Sequence, residues 1–473
     1  VKRREFIRSA GLFAGTIIAS ERTVGRLFRR AGHSGGSRPN ILLIITDQQS
    51  ADAMSCRMGK EFLRTPAMDS IAARGVTFTR AYTANPLCVP ARSSFLTGQY
   101  PHVTGVQSND MSKSLAGRFK CLGTYFSEAG YETAYFGKWH TPIPIKELAA
   151  HGFQTTGAIK NNGIDSEIPV LATEFIRRKR DSPFLLVTSF VNPHNICEWA
   201  RGDALPDGTV GDPPLPEFCP PMVSNAEPMT DETDTMLHMR RSMQASPMFP
   251  VGTFDEAKWR QYRWAYFRMV ERVDGYLGQI LTALEETGQQ HSTAIVFMSD
   301  HGDMQGMHGW NQKTVFYDNA ARVPFMIAHP FYAVPRESVR LVNTGLDLLP
   351  TLLEIGEIPR PAALPGLSLL PSVRDEKVSD PRAYVVSQSH MVQGAPIDGS
   401  KPEARGRMVR TKRFKYCVYD FGERRESLVD MERDPGETQN LVGNAEYGEV
   451  LLEHRRILAE FCQTNGDNFP YVP

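Results

Sequence analysis

Two polar pairs in this chain each close an apolar run: Asp47-Gln48 follows Ile41-Leu42-Leu43-Ile44-Ile45, and Asp300-His301 follows residues 294–298. Folded side by side, the runs would gather two carboxylates, an amide oxygen and an imidazole around one point. Hard oxygen donors in that number suit Ca²⁺ or Mg²⁺, and the single nitrogen leaves Mn²⁺ open. The same residues could equally be polar strand caps bonded to loop backbone. A third segment, Asn85-Pro86-Leu87-Cys88-Val89-Pro90-Ala91-Arg92, puts a thiol at the start of a helix and a guanidinium one turn later. The helix dipole and the arginine both favour negative charge at that sulfur.

These groups need a scaffold that brings strand ends together. Strand and helix signals alternate from Arg38 onward, which predicts an α/β fold: a large, mixed, mostly parallel sheet with helices on both faces. The run 41–45 reads as a strand buried in such a sheet, and polar residues at its carboxyl end sit where open α/β sheets bind ligands. Further strands are expected at 133–136, 184–190, 294–298 and 323–327, and helices at 256–286 and 344–354. Residues 198–250 carry many prolines and little periodicity, which reads as an excursion over the mouth of the domain. Beyond Pro371 short strands at 383–387, 406–411 and 413–419 and a helix at 446–462 predict a small antiparallel sheet with one helix. The expected organisation is therefore a leader at 1–37, a catalytic domain at 38–375 and a C-terminal subdomain at 376–473.

The chain has 473 residues, with Lys+Arg 53 against Asp+Glu 53, so no global charge attracts nucleic acid. Hydrophobic content of 41% and charged content of 22% exclude a disordered chain, and no apolar run is long enough to span a bilayer. Lys2-Arg3-Arg4-Glu5-Phe6-Ile7-Arg8, followed by a weakly apolar stretch, resembles a twin-arginine export signal. Periplasmic or extracellular location is the corresponding expectation. Seven scattered cysteines form neither a disulfide framework nor a CxxC zinc site; with Cys88 set apart, six could pair in an oxidising compartment.

Cys88-Val89-Pro90-Ala91-Arg92, continued by Ser93 through Gly98, resembles the C-x-P-x-R signature of the type I, formylglycine-dependent sulfatases of the alkaline phosphatase superfamily. The resemblance extends through Gly137-Lys138-Trp139-His140, Asn192-Pro193-His194, Ser299-Asp300-His301-Gly302-Asp303 with Met307-His308-Gly309, and Lys313 ahead of Arg322-Val323-Pro324. It reaches the C-terminal segments 410–416 and 434–437, so nearly everything from Arg38 onward is spanned. It implies that Cys88 is oxidised to formylglycine by a formylglycine-generating enzyme. Asp47, Gln48, Asp300 and His301 would bind a divalent metal, Ca²⁺ foremost, together with the modified Cys88. The family most often has a second aspartate where this chain has Gln48, and often an asparagine where it has His301.

The resemblance also implies a mechanism: one hydroxyl of the aldehyde hydrate attacks sulfur and the other later expels sulfate. Asp300 would assist deprotonation, Arg92 would hold the hydrate, and Lys138 and Lys313 would clamp the sulfate. His194 would be the acid for the leaving alcohol and His140 the base that collapses the sulfated intermediate, although either imidazole suits either step. His308 reads as a packing residue near the metal loop and His102 as structural. The expected substrate is a sulfated carbohydrate, reached by the excursion, by residues 107–110 and by segments near His390 and 405–407. A small sulfate ester such as an aryl or choline sulfate is the alternative substrate. Two alternative functions stand beside this one: a phosphonate monoester or phosphodiester hydrolase, and a non-catalytic binder of sulfated glycans.

Overall fold

The run 41–45 is buried throughout because its strand lies inside the sheet, flanked by parallel neighbours that cover its backbone on both edges. A computed structural model of the protein describes residues 38–470, apart from 160, 162, 333–334 and 376–381. The twin-arginine segment and the leader, residues 1–37, lie outside the described residues. Among the described residues the large sheet has eight strands: β1 (Asn40–Asp47), β2 (Val76–Tyr82), β3 (Glu132–Gly137), β4 (Thr155–Gly157), β5 (Phe184–Pro193), β6 (Thr293–Ser299), β7 (Phe325–Ala328) and β8 (Arg336–Asn343). Their spatial order is β4-β3-β5-β1-β6-β7-β2-β8. Only β7 runs antiparallel to its neighbours, so the sheet is mixed and mostly parallel.

The helices used below are α1 (Cys88–Thr97), α2 (Glu167–Arg177), α3 (Asp234–Gln244), α4 (Glu256–Glu286), α5 (Thr344–Ile355) and α6 (Gly448–Asn465). Successive residues of β1 point to opposite faces. Leu42 and Ile44 pack in one core with Tyr262, Tyr266 and Val270 of α4, while Ile41, Leu43 and Ile45 share the other with Phe95 of α1 and Leu348 of α5. Each of these buried side chains contributes about 1.5–3 kcal/mol through apolar area removed from water.

The second sheet is antiparallel, in the order β12-β11-β10-β9, from β9 (Tyr384–Met391), β10 (Ala404–Thr411), β11 (Phe414–Tyr419) and β12 (Glu426–Asp430). One face buries Met408, Cys417 and Tyr419 against Tyr82, Phe316 and Tyr317, and the other packs on Leu458 and Phe461 of α6. Lys415, on β11, reaches across to Glu437 at 2.7 Å and to Asp318 at 2.5 Å, tying the two sheets together through a buried network.

Segment 198–250 departs from its expected irregularity. It contains α3, capped by the Thr233 hydroxyl, which accepts from Met236 N, and it buries Met236, Met239 and Met243 on one face. Those methionines are spaced for a helix, but flanking prolines dilute the period over any longer window. β8 also escaped the apolar-run criterion: its first five residues alternate between half-buried and exposed at the edge of the sheet.

One glycine is required where β3 meets the site. Gly137 has φ +105°, and a Cβ there would lie 2.0 Å from the Ser189 carbonyl oxygen, which already accepts from Lys138 N at 2.7 Å. Gly137→Ala is therefore expected to cost about 3 kcal/mol through left-handed strain and overpacking. Urea unfolding measures it, and an unchanged midpoint would contradict this packing.

Candidate active site

Four adjacent strands deliver their carboxyl ends to one place. Lys138 follows β3, His194 follows β5, Asp47-Gln48 closes β1 and Asp300-His301 follows β6. The pairing of Thr46 with Ser299 sets the two polar pairs side by side, as the sequence suggested. Cys88 is the first residue of α1, whose ten residues are all buried. Leu87 offers that helix no side-chain cap, and Asn109 substitutes for it: its Oδ1 accepts from Val89 N at 3.1 Å. Arg92, one turn on, projects from the same face as the thiol.

The bonds among these side chains form one connected network. Arg92 donates through Nε to Asp300 Oδ2 at 2.9 Å and through Nη2 to Asp47 Oδ2 at 3.1 Å. Its Nη1 donates to Ser189 Oγ at 2.9 Å and to the Lys138 carbonyl at 3.0 Å. Lys138 Nζ lies 2.6 Å from Asp47 Oδ2. Lys313 Nζ donates to Gln48 Oε1 at 2.7 Å and to Cys88 Sγ at 3.3 Å. Cys88 Sγ also lies 3.1 Å from His301 Nε2, and His301 Nδ1 lies 3.0 Å from the Gly302 carbonyl.

Burial alone would push the Asp47 carboxyl up, but the charges of Lys138, Arg92 and Lys313 outweigh it and hold Asp47 well below the ordinary carboxylate range. Burial and Asp47 raise the Cys88 thiol, yet Lys313, Lys138 and His301 carry it well below the ordinary thiol value. His194, half-buried at the network's edge, is driven well below the usual imidazole value by burial, Lys313 and Lys138. His140 joins none of these bonds. It has φ 45° and its Nδ1 is buried without a partner.

A divalent cation fits this donor set. Asp47, Cys88, Asp300 and His301 each present a ligand atom within 4.8 Å of the others, all buried. The Gly302 carbonyl can accept only from a protonated Nδ1, so Nε2 is the ring nitrogen that faces the cluster. Against burial, Asp300 and Cys88 raise this imidazole's proton affinity, and a cation would take the place of the Nε2 proton. The Gln48 amide oxygen turns toward the same space, where it meets Lys313.

Several supporting residues carry no sequence signal of their own. Ser189 lies mid-strand in an apolar run, and only its pairing beside Lys138 and Arg92 gives it a role. Asp165 accepts from Val191 N, Asn192 N and Asn192 Nδ2, which shapes the loop carrying His194; burial pushes its carboxyl up to about 7. Asp303 belongs to the motif around Asp300, but its bond to Gln48 is visible only in three dimensions.

Other expected residues sit elsewhere. His308 stacks on Tyr317 at 4.1 Å between ring centroids and its Nδ1 lies 3.1 Å from the Glu227 carbonyl. His102 lies against Gln388 and the Asn465 carbonyl. Arg407 does not reach the cleft: it is buried in an ion pair with Asp467, at 2.6 Å. Arg405 and His390 are engaged by Asp420 and Glu403. All seven cysteines are free thiols, so the six apart from Cys88 do not pair.

Comparison with known proteins agrees with this geometry. The family model "Sulfatase" matches residues 39–358, and "N-sulphoglucosamine sulphohydrolase, C-terminal" matches residues 306–464. The chain is 31% identical over 457 residues to a Delta 4,5-hexuronate-2-O-sulfatase of Bacteroides thetaiotaomicron, covering 91% of this chain and 90% of that protein. A solved structure of a 2-O GAG sulfatase superposes with TM-score 0.80 at 30% identity, covering 92% of this chain and 94% of the other. The phosphonate monoester hydrolase of Agrobacterium radiobacter shares the fold, with TM-score 0.72 at 22% identity over 90% of this chain and 96% of that one. Fold and site define a hydrolase of the alkaline phosphatase superfamily. Within it the chain belongs to the sulfatase family, and the enzyme is a sulfatase.

Arg92→Ala would leave Asp47 and Asp300 buried together with one cation fewer, and is expected to cost about 3–5 kcal/mol at neutral pH. Asp300 is pushed above the ordinary carboxylate range, so its share of the deficit should fade first as pH drops, while the share of Asp47, held below that range, should persist until pH falls through the depressed value. Urea unfolding at a series of pH values measures this; a variant as stable as the wild type at pH 7 would contradict the bridging role.

Proposed function

We propose that this enzyme removes sulfate from a sulfated carbohydrate, with Cys88 converted to formylglycine by a formylglycine-generating enzyme. In the same reading Asp47, Gln48, Asp300 and His301 hold a divalent cation, Ca²⁺ foremost, with Mg²⁺ or Mn²⁺ as alternatives. The observation that carries this is the position of Cys88, first residue of a buried helix, 3.1 Å from His301 Nε2 and 3.3 Å from Lys313 Nζ. Relatives named for a 2-O-sulfated hexuronate and for GAG support a sugar sulfate as substrate. The twin-arginine reading of residues 2–8 adds export, so that the enzyme works in the periplasm or outside the cell.

A sulfate ester is shielded by anionic oxygen, so the site must offset charge on the oxygens while the ester is held in line. Lys138, Lys313 and Arg92 supply positive charge on the side of residue 88. As an aldehyde hydrate, residue 88 would offer two hydroxyls on one carbon, one to attack sulfur and one to expel sulfate. Asp300, held by Arg92 at 2.9 Å, would accept the proton of the attacking hydroxyl in this reading. A bound cation would neutralise the carboxylates of Asp47 and Asp300 and polarise oxygen at this point. His194 is neutral beside its two lysines, and a bound sulfate, by offsetting them, raises its affinity for the proton it must give the leaving alcohol. His140, with a free ring nitrogen, serves the second step as base.

Two measurements follow. In protein made with a formylglycine-generating partner, the tryptic peptide 81–92 should show by mass spectrometry the Cys88 sulfur replaced by an aldehyde oxygen. An unconverted thiol, with a control sulfatase converted in the same cells, would contradict the nucleophile. His194→Ala should slow hydrolysis of a sugar sulfate about 10²–10⁴-fold while affecting an activated aryl sulfate far less, since a good leaving group needs no acid. Equal losses on both esters would remove His194 as the acid.

A further inference from the structure

Gln48 occupies a position where a second carboxylate would be the simpler metal ligand, and an amide raises a problem that a carboxylate does not. One of its two ends repels a cation, so something must decide which end faces the site. Every polar group of Gln48 is fixed. Its backbone takes φ 69°, in the left-handed region, and donates its N–H to Asp300 Oδ1 at 3.2 Å while its carbonyl accepts from Tyr266 Oη at 2.8 Å. Its Nε2 donates to Asp303 Oδ2 at 2.7 Å, and its Oε1 accepts from Lys313 Nζ. An ammonium only donates and a carboxylate only accepts, so these two partners determine the orientation of the amide.

Asp303 is itself unusual. It is fully buried, and among the described residues no arginine, lysine or histidine forms an ion pair with it. Its oxygens accept instead from neutral donors: Gln305 N at 2.8 Å, Gln312 N at 3.1 Å, Tyr262 Oη at 3.0 Å and the Gln48 amide. A buried carboxylate so placed is costly unless an opposite charge lies near. The Lys313 ammonium lies one side chain away, on Gln48 Oε1, and a cation in reach of the same oxygen would add to it.

We propose that Asp303 is a positioning residue for the cation site. It turns the Gln48 amide oxygen-first toward the cation and supplies from behind the negative charge that an aspartate at position 48 would have placed on the ion itself. Asp47-Gln48 and Asp303 then act as one unit, with the Lys313 ammonium on the oxygen's other flank. The proposal rests on the metal reading above and adds the residue that lets a neutral ligand serve there.

The test is Ca²⁺ affinity, measured by calorimetry on metal-stripped protein without reference to turnover. Asp303→Asn should weaken Ca²⁺ binding about 10–100-fold, the range for loss of a residue that orients a ligand. Adding Gln48→Glu to Asp303→Asn, which exchanges amide and carboxylate, should recover most of that loss. If Asp303 only holds its own loop, a change at position 48 will not rescue, and that result would overturn the proposal. So would unchanged affinity in Asp303→Asn. A crystal structure of the Ca²⁺-loaded wild type, which needs no variant to fold, should show the Gln48 side chain on the ion and on Asp303 together; a Gln48 turned away from the ion would also overturn it. Wild-type protein that binds no divalent cation would overturn the metal reading first, and the role of Asp303 with it.

Discussion

The guanidinium of Arg92 lies completely buried between two buried carboxylates, and the rest of the site is arranged around that contact. Asp47 and Asp300 come from neighbouring parallel strands, so register brings two like charges together in a dry space where neither could stay ionised alone. Arg92 satisfies both, and its remaining donors fix Ser189 and the backbone at Lys138. Because it sits one helical turn after Cys88, the same side chain that makes the carboxylate pair tolerable also sets the helix that carries the thiol. The sheet, the helix and the position of Cys88 are thus coupled through one residue.

That coupling explains why the site is suited to an anion. Lys138 and Lys313 flank Asp47 and Cys88, so two ammonium groups lie beside the sulfur and its neighbouring carboxylate. Burial and the same charge hold the His194 imidazole well below its ordinary value. Buried and held by several bonds each, these groups need little rearrangement when charge shifts, which is the physical advantage of building them on strand ends.

Much of this was legible in the residues. The run 41–45 announced a central buried strand, and the polar pairs at 47–48 and 300–301 were expected to meet if their strands lay side by side, as they do because parallel neighbours bring equivalent ends together. Helix α4 was readable to its ends because its apolar period is long and uninterrupted. Helix α3 was not, since prolines surround its short methionine stripe, and edge strand β8 alternates too polarly to look like a strand from a parallel sheet. At the site, residue types and spacing pointed to Cys88 and Arg92, and the family resemblance added Lys138 and Lys313. Ser189, Asp165 and Asp303 act through contacts between segments far apart in the chain, and no local pattern encodes those. Arg407 illustrates the opposite error: an arginine near a cleft in sequence terms is, in three dimensions, the buried partner of Asp467.

The most direct test compares one aryl leaving group presented as a sulfate monoester and as a phosphodiester to the same converted enzyme, with kcat/KM measured for each. A site built around Arg92, Lys138 and Lys313 for sulfate predicts clear preference for the sulfate ester, with both rates lost in Cys88→Ala. Preference for the phosphodiester would contradict the sulfate-ester reading and place the enzyme's chemistry with the phosphonate hydrolases whose fold it shares.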